Sequence, residues 1–391
     1  MDVEPSAVPA SVRGVAMVSP IEHAPARRRP DWLVPVISAW VTVRLLVLLA
    51  YVGVRIAATN SGDGELPYQL TRKLLSWDGG WYRFISQIGY DEISEEGIRF
   101  FPAFPLMARA ISPLFGGSDT AAVIVIANVA ACGALIAMYR LVRFETGDHR
   151  AATWSVWAFA LFPAGFVASW AYAEPMMLWL SLAAMLALRR QRYVSSAVLM
   201  FFAGLTRPLG SLLAFAALVE LWRCRGDLDI KRWPAALGTL LAAPLGSAVY
   251  VLWASAHFDN WLIPLTIQNE LRGDPNLPPQ RLIEGIGELF NDPLGDGIHV
   301  MFLVIFCTLA VLVARWLPAS YTAITIATLV IALGAENLNS FERYGYNAFP
   351  LAIAAGLALC RYPRIRLPAL GAAATLIVAL PAAAWWGSYV P

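Results

Sequence analysis

The chain has 391 residues, of which 58% are hydrophobic and 14% are charged. Soluble domains carry about 25% charged residues, and a soluble core does not account for apolar runs of about 20 residues along a whole chain. The composition therefore excludes a soluble globular protein and predicts an all-α polytopic membrane protein. The net charge of +2 gives no reason to expect nucleic-acid binding.

The first 30 residues are rich in proline, alanine and valine and end in Arg27-Arg28-Arg29-Pro30. We expect them to form a disordered cytoplasmic tail in front of a transmembrane domain at residues 31–391. A cleavable signal peptide is not expected, because the basic cluster comes late and the next apolar run is long enough to span the membrane and remain there.

The apolar segments predict about eleven transmembrane helices. We place them at residues 32–54, 120–140, 151–171, 174–189, 194–206, 208–222, 234–256, 298–315, 319–335, 346–360 and 367–386. Residues 194–222 are long enough for one tilted span, but basic clusters flank both ends. If both clusters are cytoplasmic, the segment forms two short spans or a re-entrant pair that turns at Thr206-Arg207-Pro208.

With the N-terminus inside, lysine and arginine dominate the predicted cytoplasmic segments, and acidic residues dominate the outer ones. The long outer loops are residues 55–119 and 257–297, and the others are short turns. Because the outer face carries the acids and the aromatics, we expect the protein to act there. Its substrates would be carried in the outer leaflet, where ATP and nucleotide sugars are not expected.

The first outer loop contains the most unusual stretch of the chain, Trp77–Leu106. Asp78 precedes aromatic and aliphatic residues at helical spacing that end at Gly89. Ser76 or Asp78 could cap this short helix, and Asp78 could equally present a carboxylate to a cleft. The two interpretations are compatible, since a cap fixes the backbone while one oxygen remains accessible.

The aromatic-proline segment Phe100–Leu106 follows. Pro102 and Pro105 fix φ and discourage a regular helix. We expect a stiff re-entry into the membrane, either as a plain interfacial turn or as the wall of a lipid-exposed groove.

Charged residues also occur where predicted spans begin, end or turn. Glu174 precedes Pro175 at a helix N-terminus, where an acid is favoured by the helix dipole, so it is either a cap or a second acid on the face of Asp78. Arg207 lies at the turn of two short spans, and a guanidinium suits a phosphate, although it could simply snorkel to the interface. Arg44 lies inside the first span and is expected to pair with an acid or to contact phosphate.

The last outer turn contains Glu342-Arg343-Tyr344. It offers an acid, a cation and an aromatic ring to a substrate, or it is an ordinary interfacial anchor.

Several motifs are absent or weak. The chain has no Walker A loop, no dinucleotide-binding glycine pattern and no zinc-type histidine spacing. Asp227-Leu228-Asp229 has the form of a metal-binding DxD, but it lies in a short basic cytoplasmic loop and is interpreted as a solvated loop. We expect none of the four cysteines to form an extracytoplasmic disulfide.

Four motifs, in order, resemble the PIG-V family of mannosyltransferases. They are W-D-x-x-W-Y-x-x-I-x-x-x-G-Y from Trp77, F-F-P-x-F-P-L from Phe100, Y-x-E-P from Tyr172 and T-R-P-x-G from Thr206. The resemblance covers residues 32–222 well, and beyond them only the hydropathy and the Arg343-Tyr344 element follow the family.

The resemblance implies a GT-C glycosyltransferase that takes a hexose, most simply mannose, from a polyprenyl-phosphate donor. The acceptor would be a lipid or glycan on the extracytoplasmic face of a bacterial plasma membrane. Asp78 would be the general base of an inverting displacement. No second acid adjoins it, so Asp91 or Glu174 is the candidate partner. The expected substrate-binding residues are Trp77, Trp81, Tyr82, Phe101, Tyr172, Glu174, Arg207, Glu342, Arg343 and Tyr344.

No cofactor and no metal are expected, because a phosphodiester leaving group does not require one. Two other classes compete with the enzyme. A transporter or flippase of a lipid-linked sugar would need polar positions near the midplane that are accessible from both sides. A non-catalytic scaffold would leave Asp78 dispensable.

Overall fold

A computed structural model describes residues 30–61, 65–273, 278–291, 297–334 and 340–391, and all regular structure in these ranges is helical. The predicted tail lies, except for Pro30, outside the described residues. Parts of the predicted loop 257–297 and of the last outer turn also lie outside them.

The described α-helices are α1 Leu33–Asn60, α2 Tyr68–Arg72, α3 Asp78–Ile88, α4 Ala103–Ile111, α5 Asp119–Thr146, α6 His149–Ala160, α7 Glu174–Arg189, α8 Tyr193–Thr206, α9 Leu213–Cys224, α10 Trp233–His257, α11 Ile263–Arg272, α12 Pro278–Asn291, α13 Gly297–Trp316, α14 Ala319–Leu333, α15 Phe341–Asn347, α16 Phe349–Arg361 and α17 Arg366–Trp386. Short 3₁₀ segments connect several of them, at Lys73–Leu75, Glu95–Arg99, Ser112–Phe115, Pro163–Ser169, Pro208–Leu212, Ile230–Arg232 and Pro363–Ile365.

Each of the predicted apolar segments coincides at least in part with one of these α-helices. Among the described residues, five helical stretches are long and apolar enough to cross a membrane, and a sixth counts if a bent pair forms one span. The five are Leu33–Asn60, Asp119–Thr146, Ile230–His257, His299–Trp316 and Pro363–Trp386. The other apolar helices are shorter than the roughly 30 Å hydrocarbon core, so the number of about eleven spans stays a prediction.

The segment predicted as one span at 151–171 is broken in two. α6 ends at Ala160, and the 3₁₀ turn Pro163–Ser169 continues at an angle of 78° to it. Phe162 is extended, with φ −54° and ψ 137°, because the ring of a following proline disfavours helical backbone. The break leads the chain through the interior to Glu174.

The expectation for the aromatic-proline segment is wrong in one respect. α4 begins at Ala103, so Pro105 lies inside a regular helix. It lies in the first turn, where backbone N–H groups have no intrahelical acceptor, and proline therefore removes no hydrogen bond there.

Residues 193–224 form two helices rather than one. α8 ends at Thr206, Arg207 is extended, and α9 begins at Leu213. The far ends of the two helices come back together, since Gln191 Nε2 lies 4.0 Å from Cys224 Sγ. Arg207 therefore lies at the tip of a helical hairpin.

Glycines set the closest helix crossing around Arg207. A Cβ at Gly204 of α8 would overlap the carbonyl of Ala243 in α10, and a Cβ at Gly246 would overlap the carbonyl of Phe201. The two backbones therefore touch, as small residues permit in membrane helix pairs. This contact fixes the end of α8 from which Arg207 projects.

A buried ionic network joins the helices at the end of the molecule opposite Arg207. We call it the Arg189 end. Arg189 Nε and Nη2 lie 2.7 and 3.1 Å from the two oxygens of Glu145, and Nη1 lies 2.9 Å from both oxygens of Glu220. Ser320 and Tyr321 donate further hydrogen bonds to these carboxylates. The network joins α5, α7, α9 and α14.

Replacing Gly246 with alanine should lower the thermal stability of the purified protein, because the added methyl meets backbone that has no room to move. We expect a loss of about 1–3 kcal/mol, the usual cost of overpacking. The matched control is Gly238→Ala in the same helix, where nothing lies within 4 Å of the added carbon. Equal melting temperatures for the two variants would contradict the close crossing.

Candidate active site

Asp78 is the first residue of α3, and the residue before it has an unusual backbone conformation. Trp77 has φ +54°, which is rare for a residue with a side chain. Its N–H donates to Gln69 Oε1 at 3.0 Å, and its indole N–H donates to the carbonyl of Ala384 at 3.0 Å. These two bonds tie the start of α3 to α2 and α17, so that the strained turn persists.

Neither proposed cap is present. The Ser76 hydroxyl donates to the carbonyls of Gln69 and Lys73 at 2.7 and 2.6 Å, and no side chain caps α3. The capping interpretation of Ser76 and Asp78 is therefore wrong, because the first serves the turn before the helix and the second is engaged in ion pairs.

Aromatic contacts support α3 at Tyr82, which lies one turn after Asp78 on the same face of the helix. Tyr82 is buried and meets the rings of Phe100 and Phe104 edge-on, with centroids 5.0 Å apart in each case. Tyr250 donates a hydrogen bond to the carbonyl of Ile98 at 2.6 Å. Arg99 thus lies between Ile98 and Phe100, which these contacts hold in place. Its Nη2 lies 4.0 Å from Asp78 Oδ1.

Charged groups from four separate parts of the chain alternate across the site. Arg343 Nη1 lies 2.5 Å from Asp78 Oδ2 and 3.4 Å from Glu174 Oε1. Arg207 Nη1 lies 2.6 Å from the same Glu174 oxygen. The result is a continuous series of Asp78, Arg343, Glu174 and Arg207. Glu174 is fully buried at its centre.

Several polar atoms of this series have no hydrogen-bond partner among the described residues. They include the Nε atoms of Arg99, Arg207 and Arg343 and both carboxylate oxygens of Glu174. The Glu174 contacts are close ion pairs, but they lack hydrogen-bond alignment. Buried polar groups are normally satisfied, so these atoms fit a ligand that both accepts and donates hydrogen bonds.

Two cavities meet at Asp78. The first has a volume of about 190 Å³, and the second of about 260 Å³. The first is lined by Asp78, Tyr82, Arg99, Phe100, Phe101, Arg207, Pro208, Leu209, Pro264, Leu265, Gln268, Ile331, Arg343 and Tyr344. The second is lined by Tyr68, Gln69, Arg72, Trp77, Asp78, Gly80, Trp81, Phe84 and Arg99. Of these residues, only Asp78 and Arg99 line both cavities, so they form the boundary between the two cavities.

The charge environment keeps Asp78 ionised. Burial alone would raise the pKa of its carboxyl, because it removes water from the charged form. The neighbouring guanidinium groups, Arg343 foremost, outweigh burial and hold the pKa below its usual value of about 4.

Most of the residues that the sequence nominated for the site lie beside these cavities. Tyr82, Phe101, Arg207, Arg343 and Tyr344 line the first cavity, and Trp77 and Trp81 line the second. Tyr172 is fully buried and lies behind Arg343, whose Cζ is 5.6 Å from its ring centre.

Glu342 lies elsewhere. Its Oε1 is 2.6 Å from His299 Nδ1, and its Oε2 accepts from the Tyr389 hydroxyl at 2.9 Å. It lines neither cavity, because successive residues of α15 point in different directions and Arg343 takes the inward one. The expectation that Glu342 binds substrate is therefore corrected to a buried structural role.

Two other charged candidates are also accounted for. Arg44 donates to Asn128 Oδ1 at 3.0 Å and to the carbonyl of Ala168 at 2.8 Å, and it pairs with no acid of the described residues. Asp91 is exposed and contacts His257. The acid nearest to Asp78 in these contacts is Glu174, because Arg343 lies against both carboxylates.

Sequence reasoning missed Arg99, Arg72 and Gln268, which line the cavities. Arg99 follows an acidic run, and its one available signal is its place directly before the aromatic-proline segment. Within the described residues, no three His, Cys, Asp or Glu side chains are grouped as metal ligands. Asp229 instead caps its own loop, accepting from Lys231 N at 3.0 Å.

The sequence profile described as mannosyltransferase (PIG-V) matches residues 61–270, which is more than half of the chain. The chain belongs to this family. All the residues of the alternating charge series lie inside the matched region except Arg343. Comparison with curated proteins by sequence finds no match.

Solved structures of GT-C glycosyltransferases resemble the PIG-V chain. ArnT from Cupriavidus metallidurans bound to undecaprenyl phosphate is 19% identical, with a TM-score of 0.50 over 72% of this chain and 55% of ArnT. AglB from Archaeoglobus fulgidus, in complex with an inhibitory peptide and a dolichol-phosphate, is 13% identical, with a TM-score of 0.46 over 91% of this chain and 56% of AglB. The likeness to ArnT shows a shared GT-C fold, and the chain spans about half the length of these structures.

Replacing Arg343 with glutamine should raise the pKa of Asp78, because it removes the guanidinium that does most to offset the effect of burial on this carboxyl. The wild-type carboxyl should take up its proton only at a lower pH than an ordinary aspartic acid does, whereas the variant should take up its proton at a higher pH than the wild type. Infrared difference spectroscopy would follow the protonated carboxyl band, with Asp78→Asn identifying its contribution. Arg343→Lys keeps the charge and should titrate like the wild type. An unchanged titration in Arg343→Gln would contradict the control of Asp78 by Arg343.

Proposed function

We propose that the protein is a membrane glycosyltransferase that transfers mannose from a polyprenyl-phosphate donor to a lipid or glycan acceptor on the extracytoplasmic face. The observation that carries the proposal is the ionised Asp78 at the boundary of two cavities, one of them surrounded by arginines with unused donors. Membership of the mannosyltransferase (PIG-V) family supports the choice of sugar.

The charge of the first cavity suits a phosphodiester donor. Three guanidinium groups and two carboxylates leave one net positive charge around it. A polyprenyl-phosphate sugar carries one negative charge, so it would neutralise the site without a metal. A nucleotide diphosphate sugar carries two charges and would leave the site with an excess negative charge. The undecaprenyl phosphate in the ArnT structure belongs to the same chemical class as the proposed product.

Arg207 is the proposed contact of the donor phosphate. Its Nη1 is taken by Glu174, but its buried Nε has no partner. A phosphate oxygen at that position would accept a charge-assisted hydrogen bond that strengthens as charge develops on the leaving group.

The second cavity is the proposed acceptor site. Its walls combine aromatic rings with hydrogen-bonding side chains, including Trp77, Trp81, Gln69 and Arg72. Aromatic faces suit the apolar C–H surfaces of sugars, and the polar groups suit their hydroxyls. An acceptor hydroxyl there would approach the donor across Asp78.

In the proposed step, the acceptor oxygen bonds to the anomeric carbon as the bond from that carbon to the phosphate oxygen breaks. The electron pair of the broken bond stays on the polyprenyl phosphate, and the acceptor proton moves to Asp78. Attack opposite the leaving group inverts the anomeric centre. Arg343 holds Asp78 Oδ2, which leaves Oδ1 for the proton.

The proposal is tested by sugar transfer from radiolabelled polyprenyl-phosphate mannose to an extract of membrane lipids. Asp78→Asn should lower the rate by about 10²–10⁴-fold, the usual contribution of a general base. Asp91→Asn is the control, because Asp91 lies in the same predicted loop but is exposed and contacts His257. A wild-type protein that moves the intact lipid-linked sugar between leaflets without transferring it would indicate a flippase. Equal transfer by Asp78→Asn would reject the catalytic assignment.

Arg207→Gln should raise the KM for the donor and lower kcat, because the lost charge contacts phosphate in both the ground state and the transition state. A combined loss in kcat/KM of about 10²-fold is expected from one charged hydrogen bond and its ion pair. Arg207→Lys should recover part of kcat, since it restores a point charge but not the planar donor set. A change confined to the KM of the acceptor would place Arg207 outside the donor site.

A further inference from the structure

A groove of about 360 Å³ lies on the surface of the protein at the Arg189 end, between α5, α7 and α8. It is lined by Gly133, Ile136, Ala137, Arg140, Trp179, Ala183, Leu186, Ala187, Arg190, Arg192 and Ser195. Three of these residues are arginines, and most of the others are apolar. The catalytic assignment uses none of them.

The three arginines of the groove carry uncompensated charge. No acid of the described residues pairs with Arg140, Arg190 or Arg192, and the closest interaction of a guanidinium among them is Arg190 over the ring of Phe144, at 5.2 Å. The adjacent Arg189 differs sharply, because two carboxylates neutralise it. The groove therefore presents three free cations beside a residue whose charge is fully satisfied.

Below the arginines the groove is apolar. Trp179 is 41% exposed, and its ring lies across Gly133, where an added Cβ would meet it. Ile136, Ala183 and Leu186 continue this wall. Trp179 precedes Arg190 by eleven helical positions, which corresponds to about 16 Å along α7, or roughly half the hydrocarbon core. The groove thus joins a cationic head to an apolar stem of acyl-chain length.

A second groove of about 290 Å³ adjoins the first and shares Arg192 and Ser195 with it. It adds Lys231, while the neighbouring Arg232 is occupied by hydrogen bonds to Gln191. The positive surface therefore extends beyond the space that one phosphate fills.

We propose that this groove binds an anionic phospholipid, with its phosphate among Arg140, Arg190 and Arg192 and one acyl chain along Trp179. Basic pockets between membrane helices commonly hold such headgroups. The adjoining groove favours a lipid with two phosphates over a lipid with one. In the predicted topology the lipid lies in the cytoplasmic leaflet.

The site is separate from the proposed catalytic centre. Glu174 begins α7 and Arg189 ends it, so about 22 Å of helix lies between them. The donor phosphate and the proposed lipid therefore occupy opposite ends of the protein, and the inference does not depend on the proposed sugar transfer.

Native mass spectrometry of the purified full chain in detergent, with added lipids of defined headgroup, tests the site. We expect affinity to fall in the order diphosphatidylglycerol, phosphatidylglycerol, phosphatidylcholine. Replacing all three groove arginines with glutamine should weaken binding of phosphatidylglycerol by about 100-fold, at about fivefold per arginine. The matched control replaces Arg143, Arg225 and Arg364 with glutamine. These arginines are exposed, line neither groove and give the same change in net charge.

Two further variants keep the test decisive if the triple glutamine variant folds poorly. Replacing the three arginines with lysine keeps the charge and should retain most of the binding. Ala183→Phe fills the apolar stem and should weaken lipid binding without any change in charge. Equal binding of phosphatidylcholine, displacement of the lipid by millimolar inorganic phosphate, or equal loss in the control triple would overturn the proposal.

Discussion

The site depends on a buried series of charges, Asp78–Arg343–Glu174–Arg207, in which each ion is neutralised by its neighbours. Removing one partner of a buried ion pair is costly, because the remaining charge has lost its water. The series therefore holds α3, the start of α7, the turn after α8 and α15 in one arrangement. These elements are far apart in the chain, and the helices behind them serve to keep the four groups together.

The two ends of the molecule use charge differently. At the Arg189 end, the Arg189 guanidinium is matched by carboxylates and the carboxylates accept from hydroxyls, so little is left to bind a ligand in that network. At the Asp78 end, the ions are paired but donors on Arg207 and Arg343 remain unused. A network in which every polar group has a hydrogen-bond partner is typical of a structural role. A binding site next to a cavity requires polar groups that still lack a partner.

Close helix packing and local backbone geometry position the charged groups of the site. Arg207 reaches Glu174 because α8 and α10 touch at glycines, and because the chain turns back at a proline directly after Arg207. Asp78 reaches both cavities because Trp77 adopts a backbone conformation that hydrogen bonds to α2 and α17 hold in place. Neither contact involves the reacting groups, yet both set where those groups lie.

The sequence by itself determined the class of protein and the positions of its apolar helices, and it marked all four ions of the series as candidates, since composition, hydropathy and short motifs are local properties. Only the tertiary structure decided which charges meet. Arg343 and Glu342 are adjacent and look alike as candidates, but one turns towards Asp78 and the other towards His299. Arg99 is marked in the sequence only by its place directly before the aromatic-proline segment, which does not show that it contacts Asp78. Pairing depends on how distant helices pack, since the partner that holds Asp78 is Arg343, 265 positions further along the chain.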